Sequence, residues 1–416
     1  MSTRASERLF HAIVVAGAAM AAGCPGNVVV ESRAGGGGKT TGTSGTTSAT
    51  SGMAHTASNS TSGTGGASVA ASSSGASSSS AAIASSSRSA SSSGSSSSAS
   101  SGAGGAGGCA NAKPLVIAAG VGTPSGIAVD ATSVYWLEGG PGTDVLKVPI
   151  CGGVPTTLTQ YKPAIPGERI VVDATHVYWT DLYGVMNNQS SGSVKKLSIG
   201  GGMVTTLAST QTMPEGIAIS GASVFWVNEG TGPNPMDGTV ATTSTNGGAI
   251  KMLATSQSGP NGVAVDAANV YWTNALGGTV SQVPLGGGIT TVLASGQSDP
   301  HGIAVDAANV YWTNWIPNGT VMKVPIGGGA ITQLASSQGM PHDIAVDTKY
   351  AYWTNFLGED SSVRRVPTAG GATTTLYAAN NNNNTPPSQP YGIAIDAGYV
   401  YWTNSNTKEI MQLAKP

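Results

Sequence analysis

Charge is what this sequence has least of. Of 416 residues, 18 are Lys or Arg and 20 are Asp or Glu, 9% in all, against about 25% in an average soluble protein. Nucleic-acid binding neutralises phosphates with clustered Lys and Arg. No such cluster occurs here, so nucleic acid is excluded as a partner. Long apolar runs are equally scarce. The one sustained stretch, Leu9–Ala22, has 14 residues where a bilayer span needs about 20, which excludes a polytopic membrane protein. Three cysteines are too few for a disulfide-dense scaffold. Gly-x-Ser-x-Gly, His-Glu-x-x-His, a Walker-type loop and EF-hand spacing are all missing, which removes the best-marked hydrolase, zincin, nucleotide and calcium signatures.

What is present divides into three parts, 1–23, 24–108 and 109–416. In the first, Arg4 and Arg8 precede the apolar stretch, and small residues close it at Ala21-Ala22-Gly23, just before Cys24. This is the pattern of an export signal. The ending resembles the lipobox of bacterial lipoproteins. That resemblance implies cleavage before Cys24, acylation of the Cys24 thiol and, with Pro25 next, anchoring in the outer membrane.

The second part is almost only Ser, Gly, Thr and Ala. From Ala34 to Gly108 it holds no aromatic or acidic residue, and Lys39 and Arg88 are its only Lys or Arg. Such a segment cannot bury enough apolar area to offset its conformational entropy. It is predicted to be a disordered tether with a reach of about 45–50 Å, carrying a monomeric domain away from a membrane that it touches through the lipid anchor alone.

The third part repeats itself. An aromatic pair recurs seven times, at Tyr135-Trp136, Tyr178-Trp179, Phe225-Trp226, Tyr271-Trp272, Tyr311-Trp312, Tyr352-Trp353 and Tyr401-Trp402. Each copy holds four short runs rich in Val, Ile, Thr and aromatics, divided by Gly, Pro or Asn. They are Gly-Ile-Ala-Val-Asp (A), Val-Tyr-Trp-Thr-Asn (B), Thr-Val-x-x-Val-Pro (C) and Thr-Thr-x-Leu-Ala (D). A unit of this length with four strands is the size of a propeller blade. The prediction is an all-β fold, a seven-bladed β-propeller over 109–416. The segment Pro114–Ala119 reads as a D strand with nothing before it, and the chain finishes on a C strand at Ile410–Ala414. The first strand is therefore predicted to close the last blade. This places Cys109 and Cys151 in adjacent blades on one face, where a disulfide between them would clasp the joint.

The Tyr-Trp-Thr-Asn/Asp signature resembles the YWTD propellers of lipoprotein-receptor ectodomains and bacterial propellers with the same repeat. It implies this fold, although the receptor class has six blades and this chain has seven copies. A second, weaker resemblance is to seven-bladed streptogramin lyases, through Pro300-His301-Gly302-Ile303 and Tyr311-Trp312-Thr313. It implies an elimination with Mg²⁺ at the channel mouth, His301 or His342 as base and Glu215 as a carboxylate on the metal side. The Glu-x-His pairing of those enzymes does not occur in this chain.

Recurrence separates construction from chemistry. Asp130, Asp173, Asp266, Asp306, Asp347 and Asp396 all end strand A, so they are predicted to be structural acceptors, as the seven Trp are predicted to be inter-blade packing. Trp315 lies outside the repeat and is left to bind. The residue before the strand A glycine varies: Ser125, Glu168, Glu215, Asn261, His301, His342 and Tyr391. Arg169 and Asp343 replace the glycine itself in two blades. This polar set is predicted to ring the channel mouth, as a wet rim, a ligand site or a catalytic centre. No motif demands a cofactor, and the one these residues would suit is a divalent metal. The leading functional expectation is non-catalytic recognition of a protein, peptide or glycan through the variable B–C and D–A loops, with Trp315 and Tyr183 exposed on them. The alternative is a metal-dependent lyase- or lactonase-like enzyme at the channel mouth.

Overall fold

The computed structural model describes residues 113–139, 143–161, 165–182, 191–231, 236–356, 360–379 and 388–416. The expected signal and tether, Cys24, Cys109, Tyr183 and the middle of the Asn-rich loop before Pro390 lie outside the described residues.

Strands β2 (Thr123–Val129), β3 (Ser133–Gly139), β4 (Thr143–Pro149) and β5 (Thr156–Tyr161) pair in that order into the first antiparallel sheet. Five more sheets follow with the same order, built outward from β6 (Ile165–Val172), β10 (Pro214–Ser220), β14 (Pro260–Val265), β18 (Pro300–Val305) and β22 (Pro341–Val346). The seventh is made of β26 (Pro390–Ile395), β27 (Tyr399–Asn404), β28 (Glu409–Ala414) and, outermost, β1 (Leu115–Ala119). The seven inner strands touch one another in sequence, and β26 touches β2. The domain is a seven-bladed propeller whose first strand completes its last blade, with Leu115 opposite Gln412 and Ala119 opposite Glu409. Closure covers the outer edge of β28 with β1 and packs the last blade against the first.

The Tyr-Trp pair builds the ring because neighbouring residues of a strand point to opposite faces. Tyr178 packs with Leu207 toward the following blade, where it meets Ile217, Val224 and Trp226. Trp179 points the other way, into the cluster that holds Tyr135 and Leu158 of the preceding blade. The same arrangement closes the circle, with Tyr401 and Ile117 of the last blade packed against Trp136 of the first. All seven repeat Trp are fully buried.

Hydrogen bonds complete the unit. In blade 5, Asp306 Oδ1 accepts the N–H groups of Ala308 and Asn309, and Oδ2 accepts the Tyr311 hydroxyl at 2.7 Å. The same bond from Tyr to Asp recurs at Asp130, Asp173, Asp266, Asp347 and Asp396. The carboxylates are structural, as their recurrence indicated. Blade 3 has Ser220 in place of Asp and Phe225 in place of Tyr, so the acceptor and the hydroxyl are missing together.

The Thr of the repeat joins blades. Gly302 N–H donates to Thr313 Oγ1, whose hydroxyl donates to the carbonyl of His342 in the next blade, both at 3.0 Å. Thr180, Thr273, Thr354 and Thr403 make the corresponding onward bond, and that of Thr403 to Ser125 crosses the closure joint. Close approach explains the strand A glycine as well. A Cβ on Gly302 would stand 2.6 Å from His342 O, and one on Gly392 would stand 2.7 Å from Ser125 O.

Candidate functional site at the channel mouth

Each inner strand carries an irregularity at the same place. Pro300 faces Asn314 and Ile303 faces Trp312, so one residue is extra on β18. The same slip occurs in the other six inner strands and is one residue longer in β6. A bulge turns a side chain out of the regular alternation. Here the residues freed are the variable polar residue and the glycine after it.

The variable position is buried where a solvated rim was expected. Ser125, Glu215, Asn261, His301, His342 and Tyr391 are all buried, His301 and His342 to 2% and 1% exposure. The side chain of Glu168 lies outside the described residues. The cover over the histidines comes from the residue after the repeat Asn on strand B. In blades 5 and 6 this residue is Trp315 and Phe356. Trp315 N–H donates to Asp299 O at 2.9 Å and Phe356 N–H to Met340 O at 3.1 Å, which draws each aromatic residue over its own strand A. Both acceptors are non-glycine residues at positive φ, 53° and 52°, a conformation that Met213 and Gly259 share at the same place in blades 3 and 4.

Five rings from three consecutive blades meet there. The His301 ring lies 4.8 Å from Trp315 and 4.5 Å from His342. His342 lies 3.9 Å from Tyr391, and Phe356 meets Tyr391 edge-on at 5.7 Å. His342 Nδ1 is 3.3 Å from Tyr391 O. Trp315 and Phe356 remain partly exposed on top. The cluster is therefore an aromatic platform with two imidazoles in its floor. Trp315, expected to project from a loop, is its upper surface, and Phe356 is a member that sequence reading missed. The available signal was position, because Phe356 stands where Trp315 does, one blade on.

Below the mouth the channel is lined by Ile127, Ile170, Ile217, Val263, Ile303 and Ile393, around a cavity of about 180 Å³. Into it reach the two residues that replaced glycine. Arg169 Nη1 pairs with Asp343 Oδ1. Asp343 also accepts the N–H of Ile344 at 2.9 Å and, across the blade boundary, that of Ile393 at 3.0 Å. A second ion pair lies in blade 2, where Lys195 Nζ is 2.5 Å from Asp181 Oδ2 and both side chains are fully buried. Burial pushes the Asp181 carboxyl above the usual range, with the Lys195 ammonium pulling against it. Among the described residues, no group of three or more His, Cys, Asp and Glu side chains is disposed to hold a metal ion.

The predicted residues thus separate. His301, His342, Tyr391 and Trp315 come together, and Arg169 and Asp343 come together beneath the mouth. Ser125, Glu215 and Asn261 line the rest of the ring. Sequence reading also missed the amides that anchor the fixed part of the face. Gln297 of one blade accepts both Trp312 Nε1 and Asn314 Nδ2 of the next, and Gln211, Gln257 and Gln338 do the same in their blades. Cys151 is disulfide-bonded, and the chain's other two cysteines lie outside the described residues.

No protein-family model and no curated protein matches the chain. Solved structures do. Virginiamycin B lyase from Staphylococcus aureus superposes with a TM-score of 0.57 at 15% identity, over 73% of this chain and 99% of its own. A streptogramin B lyase gives 0.56 at 14% identity, over 72% and 96%. The WD40 propeller domain of Doa1 gives 0.56 at 10% identity, over 74% and 98%. Lyases and a WD40 domain fit equally well, so the likeness is one of fold and does not decide function.

Proposed function

We propose that this chain is a non-catalytic recognition propeller, held outside the cytoplasm by its leading segment, that binds a glycan or peptide on the loop face above blades 5 to 7. One observation carries the reading. His301 and His342, the residues best suited to base or metal chemistry, are buried beneath a continuous aromatic surface, and that surface is what a ligand meets. Partly exposed Trp and Phe rings beside buried polar groups suit a ligand with an apolar face and a polar edge, such as a sugar ring or an aromatic side chain. The metal-dependent lyase reading needs an imidazole open to substrate and a set of metal ligands, and the described residues supply neither.

The test is calorimetry of the purified protein against cell-envelope oligosaccharides and short aromatic peptides, beside Trp315→Ala and Phe356→Ala. The expected result is binding weakened at least about tenfold by either variant, as for loss of an aromatic anchor. Binding that both variants leave intact would move the site elsewhere. Micromolar affinity for Mg²⁺, Mn²⁺ or Zn²⁺, lost in His301→Ala/His342→Ala, would restore the enzyme reading instead.

A further inference from the structure

We propose that the boundary between blades 6 and 7 is a subsite for an acetamido group, so that the ligand of this face is a glycan built from N-acetylated amino sugars. The proposal rests on the recognition reading and names the chemical group its ligand carries. Four other blade boundaries supply the template.

Each of those four boundaries contains an amide of the chain itself. Gln211, Gln257, Gln297 and Gln338 each stand four residues after the leucine of strand D. Every Oε1 accepts both Trp Nε1 and Asn Nδ2 from strand B of the next blade. Every Nε2 donates to the carbonyl two residues earlier, that of Ser209, Thr255, Ser295 or Ser336. Asn Nδ2 has a second acceptor in a strand C hydroxyl, that of Thr239, Thr279, Thr320 or Ser362.

Blade 7 keeps the donors and lacks both acceptors. Trp402 and Asn404 are fully buried. Among the described residues, nothing accepts from Trp402 Nε1 or Asn404 Nδ2, and nothing donates to Asn404 Oδ1. Glu409 faces Asn404 where the other blades have the hydroxyl, but its Oε2 accepts from Thr407 Oγ1 at 2.7 Å. The place four residues after Leu376 belongs to Asn380, one methylene shorter than Gln and outside the described residues. Buried donors in folded proteins are nearly always bonded. The group that completes this set is a second amide, its C=O toward Trp402 and Asn404 and its N–H toward Ala378, the residue equivalent to Ser336.

The surroundings suit a sugar. Tyr377 takes the place that Ala208, Ala254, Ala294 and Ala335 hold in the template blades. Its ring is partly exposed and lies 5.2 Å from Trp402, and its hydroxyl is 2.9 Å from Ser388 Oγ. After Asn404 comes the small Ser405, where blades 5 and 6 carry Trp315 and Phe356. Asn404 is paired with Pro390, so the platform residue Tyr391 is next along that strand. A pyranose ring set on Tyr377 has an apolar face for the aromatic ring and hydroxyls for the serines.

The test titrates the protein by calorimetry with N,N′-diacetylchitobiose and with cellobiose, which has the same linked rings and hydroxyls in place of the acetamido groups. The native protein should bind the acetylated sugar at least about tenfold more tightly, because the analogue leaves buried donors unpaired. Asn404→Ala should lose that preference. Asn380→Gln gives blade 7 the amide of the template blades, and should lose the preference while raising the melting temperature. Equal affinity for the two sugars would overturn the proposal, as would binding of neither, or a preference that both variants keep. Equal affinities that Trp315→Ala weakens together would leave the recognition reading standing and remove only the subsite. Asn380→Ala lowering the melting temperature as much as Gln297→Ala would assign the boundary to the chain's own amide and overturn the proposal. Binding of a Gln-containing peptide in place of either sugar, lost in Asn404→Ala, would overturn the glycan in favour of a peptide.

Discussion

Arg169 and Asp343 are ion-paired across the axis of the ring, although blades 2 and 6 stand as far apart as a ring of seven allows. Each replaces the glycine of its repeat, and together they bar the channel. Removing one leaves the other charged in the channel without the opposite charge it faces. Arg169→Gly or Asp343→Gly alone should cost roughly 2–3 kcal/mol, below the range for fully buried pairs because some exposure remains. The double variant restores the repeat and should recover at least half of the summed cost. Urea unfolding of the four proteins measures the coupling, and strictly additive losses would show that the pair is not acting as one.

Blade 3 offers a cycle in the opposite direction. Phe225→Tyr adds a buried hydroxyl with no carboxylate at Ser220 to receive it, and should be neutral or destabilising. Ser220→Asp/Phe225→Tyr rebuilds the bond that six blades have and should stabilise by about 1 kcal/mol over the sum of the singles. Thermal unfolding of the set reads this directly.

Acid should loosen the ring at its Tyr–Asp pairs. At Asp347 burial pushes the carboxyl up, but the Lys415 ammonium and the N–H groups of Lys349 and Tyr350 outweigh it and hold it down to about 2. Asp130, Asp173 and Asp266 are also lowered, against burial, by their Tyr hydroxyls and turn N–H groups. A carboxylate with a lowered folded pKa adds stability that is complete above its unfolded value, near 4, and is lost as pH falls through the folded one. The melting temperature should therefore fall between about pH 4 and pH 2. A flat profile there would contradict the assignment.

The disulfide at Cys151 is expected to end at Cys109. Non-reducing peptide mapping identifies the partner. In the chain-entropy model a loop of that length stabilises by about 4 kcal/mol, and Cys109→Ser, Cys151→Ser and the double variant should lose the same amount. A free Cys109 in the native protein would end this assignment.

The architecture was legible because each repeat states its own packing. Tyr and Trp side by side must face opposite ways, and seven copies of that instruction make a ring. Even the exception was written out, since Ser220 and Phe225 lose the two halves of one bond together. The site was legible only in part. His301 and His342 could be picked as the odd members of a series, but their burial depends on Trp315 and Phe356, which stand where other blades have Glu229, Ala275 and Ser405 and are held by the same backbone bond, so the cover lies in the side chain and not in the repeat. Likewise Arg169 and Asp343 each announced themselves by displacing a glycine. That they meet follows from the diameter of a seven-membered ring, which neither local sequence contains.

The manner in which β1 closes the ring has a mechanical consequence. A pull on the leading segment, directed away from the C–D turns, acts along the axis of β1. The ladder to β28 is then loaded in shear, with its bonds sharing the force, rather than peeled open one at a time. A last blade completed in this way resists such a pull over its whole ladder, from Leu115 opposite Gln412 to Ala119 opposite Glu409.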